Sequence, residues 1–93
     1  MTKEKLKDKN SESLNESIGK NRMLILHNDE VNTFDFVIDS LVDVCEHDEI
    51  QAEQCAIITH HKGKCDVKKG AFDILKPMKD KLSSKGLSVT IED

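Results

Sequence analysis

The chain has 93 residues, which suits a single domain, and its 18 acidic residues outnumber its 14 Lys and Arg residues to give a formal charge of −4. An acidic chain without a basic stripe is a poor nucleic-acid binder, because the neutralisation of phosphates needs clustered Lys and Arg. No apolar run approaches the roughly 20 residues of a membrane span, and residues 1–20 contain no apolar signal region.

The first 20 residues differ in composition from the rest of the chain. They hold five Lys and four Asp or Glu residues, and only Met1, Leu6, Leu14 and Ile18 are large and apolar. Such a segment buries too little apolar surface to offset the entropy of ordering it. We therefore expect a disordered tail over residues 1–20 and one folded domain over residues 21–93.

The first half of the domain is predicted to be a strand followed by two helices. The apolar run at 22–27 is typical of a buried strand, and Asn28 and Asp29 end it in a turn. Apolar residues at helical spacing predict a helix over about 33–46, for which Asn32 is the expected cap. Asp48 can cap a second helix, which Gly63 ends.

The second half is predicted to be a strand, a helix and a strand. Residues 64–69 alternate between apolar and charged side chains, as in a half-buried strand. A third helix over about 71–85 contains Pro77, which predicts a kink or a 3₁₀ break, and Leu87–Glu92 forms the last strand. The expected fold is α+β, in the order β-α-α-β-α-β, with three antiparallel strands and three helices packed on one face.

The polar residues alone leave several interpretations open. The Asn28-Asp29 pair is equally an ordinary turn after a strand. His60 and His61 lie near Cys65, but the second pair of ligands that a zinc site needs is missing from the sequence, so no metal is expected. Cys45, Cys55 and Cys65 are expected to be small core residues, and their odd number favours a reduced, cytoplasmic setting. We therefore expect no enzyme activity and no cofactor.

Three segments of the sequence resemble the ClpS family of bacterial protease adaptors. They are Leu-His-Asn-Asp-Glu at 26–30, Phe-Asp-Phe-Val-Ile-Asp at 34–39 and Thr-His-His-Lys-Gly-Lys at 59–64. Their order and spacing, and the Thr-Ile-Glu at 90–92, agree with the family, and the resemblance covers about residues 22–92. It implies a receptor for N-degrons, the destabilising first residues of substrate proteins, which are delivered to a Clp AAA+ unfoldase and its peptidase.

The resemblance also implies the residues of the site and the partners. Asn28, Asp29 and His60 match the residues that hold the α-amino group of the substrate. The residues that match the lining of the side-chain pocket are Leu26, Asn32, Phe34, Val37, Ala56, Thr59 and Leu87. The implied partners are N-degron substrates and the N-domain of a ClpA-type or ClpC-type unfoldase, the adaptor acting as a monomer with its flexible N-terminal segment engaged during delivery.

The chemistry of the three polar residues agrees with this function. A free α-ammonium has three donors and one positive charge, and an amide oxygen, a carboxylate and a neutral imidazole nitrogen supply matching acceptors. The sequence departs from the family at Phe34 and Ala56, where Met is frequent, which predicts a pocket that is roomier on the side of the second helix. The short, lysine-rich stretch at 65–70 is a further departure, and part of the corresponding region in the family helps to dock the N-domain of the unfoldase.

A second class of function is compatible with the same fold. A structural or assembly domain, like the C-terminal domain of the ribosomal stalk protein, has a similar arrangement of strands and helices. That fold does not require an Asn-Asp turn opposite a histidine at the end of a helix. Binding of a Phe-initiated peptide that is lost on N-acetylation separates the two functions.

Overall fold

The computed structural model describes residues 21–93, and the tail expected over residues 1–20 lies outside the described residues. The strands are β1 (Asn21–His27), β2 (Lys64–Ala71) and β3 (Ser88–Glu92). The helices are α1 (Phe34–Cys45), α2 (Glu49–Lys62) and α3 (Phe72–Ser84). The predicted order of elements is confirmed, and each predicted boundary lies within two residues of the observed one.

The sheet has the order β2-β1-β3, and β1 pairs antiparallel with both neighbours. The central position of β1 agrees with its run of buried apolar residues, since both edges of that strand are covered. The pairing with β2 shifts its register between Leu24 and Ile25. At the far end of β1, His27 pairs with Lys64 and Ser88, so the loop after β1 leaves the sheet between its two neighbours.

The ends of the helices follow their capping residues. Asp48 caps α2 by accepting a hydrogen bond from the backbone of Gln51 at 2.7 Å. Gly63 ends that helix in the left-handed conformation, with a φ of 94°, which glycine adopts more readily than other residues. The predicted cap of α1 was wrong by one residue. Thr33, rather than Asn32, accepts the hydrogen bond from the backbone of Phe36, at 3.1 Å.

One hydrophobic core lies between the sheet and the helices. Its completely buried members come from β1 and from all three helices, and the largest of them are Leu24, Leu26, Leu41, Leu75 and Leu82. Alternate residues of all three strands join this single cluster, which agrees with the three helices packing on one face of the sheet. Helix α3 continues through Pro77, so the predicted 3₁₀ break is absent.

None of the helices within residues 21–93 is long and apolar enough to cross a membrane.

Candidate functional site

The loop between β1 and α1 is held against the end of α2. The backbone N–H of Asn28 donates to the carbonyl of Gly63 at 2.8 Å. Gly63 directly follows the last turn of α2, which carries His60. This hydrogen bond therefore brings the Asn-Asp turn and His60 to the same end of the domain, although about 30 residues separate them in the sequence.

The carboxylate of Asp29 organises this loop. Its Oδ1 accepts hydrogen bonds from the backbone N–H groups of Val31 and Asn32, at 2.8 and 2.9 Å. Its Oδ2 accepts a third from Nδ2 of Asn32 at 3.0 Å. A carboxylate has about four acceptor positions, so Oδ2 keeps one for an external donor.

The same hydrogen bonds stabilise the charge of this carboxylate. Partial burial alone raises the pKa of Asp29, but the hydrogen bonds from Asn32 and Val31 lower it by more, and the pKa lies below its ordinary value. Asp29 is therefore a fixed negative charge at neutral pH and well into the acid range.

The other two polar residues of the site have unused hydrogen-bonding groups. Within residues 21–93, no hydrogen bond involves the side-chain amide of Asn28 or the ring nitrogens of His60. The ring of His60 contacts Phe34 edge-on, with centroids 5.6 Å apart, and His61 at 5.2 Å. These contacts orient the ring without occupying its nitrogens, so Asn28 and His60 can both accept hydrogen bonds from a ligand.

A small pocket with a cavity volume of about 60 Å³ opens between β1, α1 and α2. Its apolar wall includes Leu26 and Ala56, which are buried, and Phe34, whose side chain is 46% exposed. The hydroxyl of Thr59 donates to the carbonyl of Cys55 at 2.7 Å, so this donor is satisfied within its own helix. The complete lining is Leu26, His27, Asn28, Asp29, Asn32, Phe34, Val37, Ala56, Thr59 and His60.

Nine of the ten predicted site residues line this pocket, and the exception is Leu87. That side chain is only 4% exposed and belongs to the hydrophobic core. His27 lines the pocket but was not predicted. Its Nε2 lies 2.8 Å from the hydroxyl of Thr90 on β3, and the available sequence signal was its position directly before the Asn-Asp turn.

Neither a metal centre nor a reactive thiol is present among the described residues. No three His, Cys, Asp or Glu residues within 21–93 are arranged to hold a metal ion. Burial raises the pKa of Cys45 to about 11 and that of Cys65 to about 12, and burial also raises the pKa of Cys55. All three thiols are therefore protonated at neutral pH, and they behave as core residues.

The sequence and the fold are each similar to those of known proteins. A family model described as ATP-dependent Clp protease adaptor protein ClpS matches residues 19–90. Among solved structures, that of Agrobacterium tumefaciens ClpS2 bound to L-phenylalaninamide has a TM-score of 0.68 and 24% sequence identity, and the alignment covers 77% of this chain and 94% of that chain. At this identity the structural match establishes a shared fold. No curated protein matches the sequence.

Proposed function

The chain belongs to the ClpS family of ATP-dependent Clp protease adaptor proteins, and on this basis we propose that it binds the free α-amino group and the bulky first side chain of N-degron substrates. The general function, that of an adaptor for a Clp protease, follows from membership of the family. The same membership favours the adaptor over the structural domain of ribosomal-stalk type.

The observation that carries the proposal is the convergence of three acceptors on one small apolar pocket. The carboxylate of Asp29 has one acceptor position left, and the side chains of Asn28 and His60 have no hydrogen-bond partner within residues 21–93. The side chains of Asn28 and His60 are exposed, so a ligand with several donors can replace the water that they otherwise bond. A chain-terminal ammonium has three donors and a positive charge, which the negative charge of Asp29 complements.

The energies of these contacts are sufficient for useful affinity. Each hydrogen bond to a charged group contributes about 1.5–3 kcal/mol. Burying one large apolar side chain adds about 1.5–3 kcal/mol. At the favourable end of these ranges, and with an association cost of about 4 kcal/mol, a single anchored residue reaches dissociation constants on the order of micromolar.

The ligand in the structure of the Agrobacterium protein indicates the shape of ligand to test. L-phenylalaninamide combines a free α-amino group with an aromatic first side chain, which is the pair of features that the proposed site would recognise. The unliganded pocket of about 60 Å³ is smaller than the cavity of about 150 Å³ that admits a benzene ring in another protein. We therefore expect the ring of Phe34, which is exposed at the pocket, to move outwards when a Phe or Trp side chain enters.

The proposed partners are the N-domain of a ClpA-type or ClpC-type unfoldase and substrates with N-degrons. In this proposal the adaptor is a non-catalytic, cytoplasmic monomer without cofactors. Residues 1–20 are the segment that the unfoldase engages during delivery. The stretch at 65–70, which forms most of β2, is where contact with the unfoldase would differ from that of other family members.

Peptide binding tests recognition. Fluorescence anisotropy would be measured with peptides that differ only in residue one, namely Phe, Leu, Tyr, Trp or Ile, each with a free or an acetylated N-terminus. Free peptides with a bulky first residue should bind with micromolar affinity, and acetylation should weaken binding by at least about tenfold because it removes the charge and the donors. Equal affinity for free and acetylated peptides would refute the proposed recognition.

A truncated chain tests delivery separately. A variant without residues 1–20 should bind the same peptides with unchanged affinity, since the ten lining residues named above all lie within residues 21–93. It should fail to promote degradation of a Phe-initiated substrate by the unfoldase and peptidase. Degradation at the full rate would contradict the role of the segment and leave the binding proposal intact.

A further inference from the structure

The side chain of Asn32 joins two segments that lie 54 residues apart in the sequence. Its Nδ2 donates one hydrogen bond to Oδ2 of Asp29 and one to the carbonyl of Gly86, each at 3.0 Å. An amide NH₂ group has two hydrogens, so both donors of Asn32 are used. Asn32 is not needed as the cap of α1, because Thr33 has that role.

The acceptor at the other end of this connection is rigidly held. Gly86 has a φ of 96° and donates its N–H to the carbonyl of Ser83 at 2.9 Å. The next residue, Leu87, donates to the carbonyl of Leu82 at 3.0 Å, and both leucine side chains are buried in the core. The carbonyl of Gly86 therefore lies between the end of α3, to which its own N–H is bonded, and Leu87, whose side chain is buried in the core.

We propose that Asn32 is a positioning residue, which fixes the carboxylate of Asp29 towards the pocket by tying it to the turn before β3. The inference rests on the proposed binding of a chain-terminal ammonium. Two backbone N–H groups hold Oδ1 of Asp29, and Asn32 holds Oδ2, so the carboxylate cannot rotate without breaking hydrogen bonds. A donor from the ligand then meets the remaining acceptor position in a fixed orientation.

The turn before β3 contributes to the site through its backbone. Leu87 was expected to supply a side chain to the pocket, but it is not among the residues that line the pocket. The turn instead reaches the site through the backbone carbonyl of Gly86, with Asn32 as the connection. A change of backbone conformation at Gly86 should therefore alter ligand binding although this residue does not line the pocket.

The first experiment compares Asn32→Leu with Thr33→Ala. Leucine has a similar shape to asparagine but no donors, and Thr33→Ala removes a hydrogen bond of the neighbouring residue that does not involve Asp29. Carboxyl-carbon NMR titration of the ligand-free protein should give a higher pKa for Asp29 in Asn32→Leu and an unchanged one in Thr33→Ala. Affinity for a Phe-initiated peptide should fall about three- to tenfold in Asn32→Leu alone, which is the weight of about one hydrogen bond.

The second experiment tests the connection to Gly86. A Cβ added at Gly86 meets no atom within 4 Å, so Gly86→Ala acts only by straining the positive φ. It should weaken peptide binding in the wild-type background and have no further effect in the Asn32→Leu background. Additive effects of the two substitutions would refute the connection, and so would full affinity in Gly86→Ala.

These measurements separate the failure of this inference from failure of the proposed function. Should the wild-type protein bind no free N-terminus, the proposed function fails, while the pKa of Asp29 in Asn32→Leu still decides whether Asn32 positions the carboxylate. Should Gly86→Ala not fold, the titration of Asp29 in Asn32→Leu still decides whether Asn32 positions the carboxylate. An unchanged pKa of Asp29 in folded Asn32→Leu overturns the inference, as does an equal loss of affinity in Thr33→Ala.

Discussion

Replacing Asp29 by Asn removes the charge of the proposed site while preserving the size of the side chain. The amide oxygen can still accept from the backbone N–H groups of Val31 and Asn32, which now bond to Oδ1. The new amide nitrogen, however, faces Nδ2 of Asn32, so one hydrogen bond is lost at a cost of about 1 kcal/mol in the free energy of unfolding. The ligand ammonium loses a charge-assisted hydrogen bond worth about 1.5–3 kcal/mol, which corresponds to a roughly 10- to 150-fold weaker affinity.

The assay is anisotropy of a labelled Phe-initiated peptide at pH 7.5 and constant salt. Asp35→Asn is the matched control, because it makes the same change of charge in the first turn of α1 but does not line the pocket. Asp29→Asn should weaken binding by at least about tenfold, and Asp35→Asn by less than about twofold, since a solvent-exposed charge outside the pocket interacts weakly with the ligand. Equal effects of the two substitutions would refute the assignment of Asp29 to the α-ammonium.

Three further predictions concern pH, pocket size and thiol chemistry. The charge of Asp29 should persist as the pH falls, because hydrogen bonds from Asn32 and Val31 hold the pKa of this carboxyl below its ordinary value, and binding that depends on this charge should be lost through Asp29 only below about pH 4. Carboxyl-carbon NMR titration checks this directly, and a pKa of Asp29 at or above about 4 would contradict the hydrogen-bonded carboxylate. Ala56→Met should fill the pocket and weaken binding of Trp- and Phe-initiated peptides relative to Leu-initiated ones by about tenfold, within the roughly 1–3 kcal/mol that overpacking costs; the same ranking before and after would disprove the roomier pocket. Cys45, Cys55 and Cys65 should react with iodoacetamide at pH 8 far more slowly in the native protein than in urea, because burial raises the pKa of each thiol. Fast labelling of the native protein would be inconsistent with buried thiols. Because the raised pKa values mean that the native state keeps its thiol protons, the free energy of unfolding should fall above about pH 8.5, where the thiols of the unfolded chain ionise.

The local features of this protein were predictable because local interactions determine them. Alternation of apolar and polar residues identified β2, and the capping residues Asp48 and Gly63 set the limits of α2. Each of these signals acts within a few residues of the chain, so the sequence carries it directly. The resemblance to a family predicted which residues form the site, and nine of those ten residues line one cavity.

The remaining features depend on contacts between distant segments, which periodicity and capping do not specify. The sequence could not distinguish Leu87 as a pocket residue from Leu87 as a core residue, because both roles require an apolar side chain near the start of β3. Asn32 was the expected cap of α1, but Thr33 caps this helix, and the amide of Asn32 instead donates to the carbonyl of Gly86, 54 residues away. The sequence by itself therefore determined the elements, and its resemblance to a family most of the pocket lining, whereas packing of the turn before β3 against the loop after β1 decided how Asp29 is held.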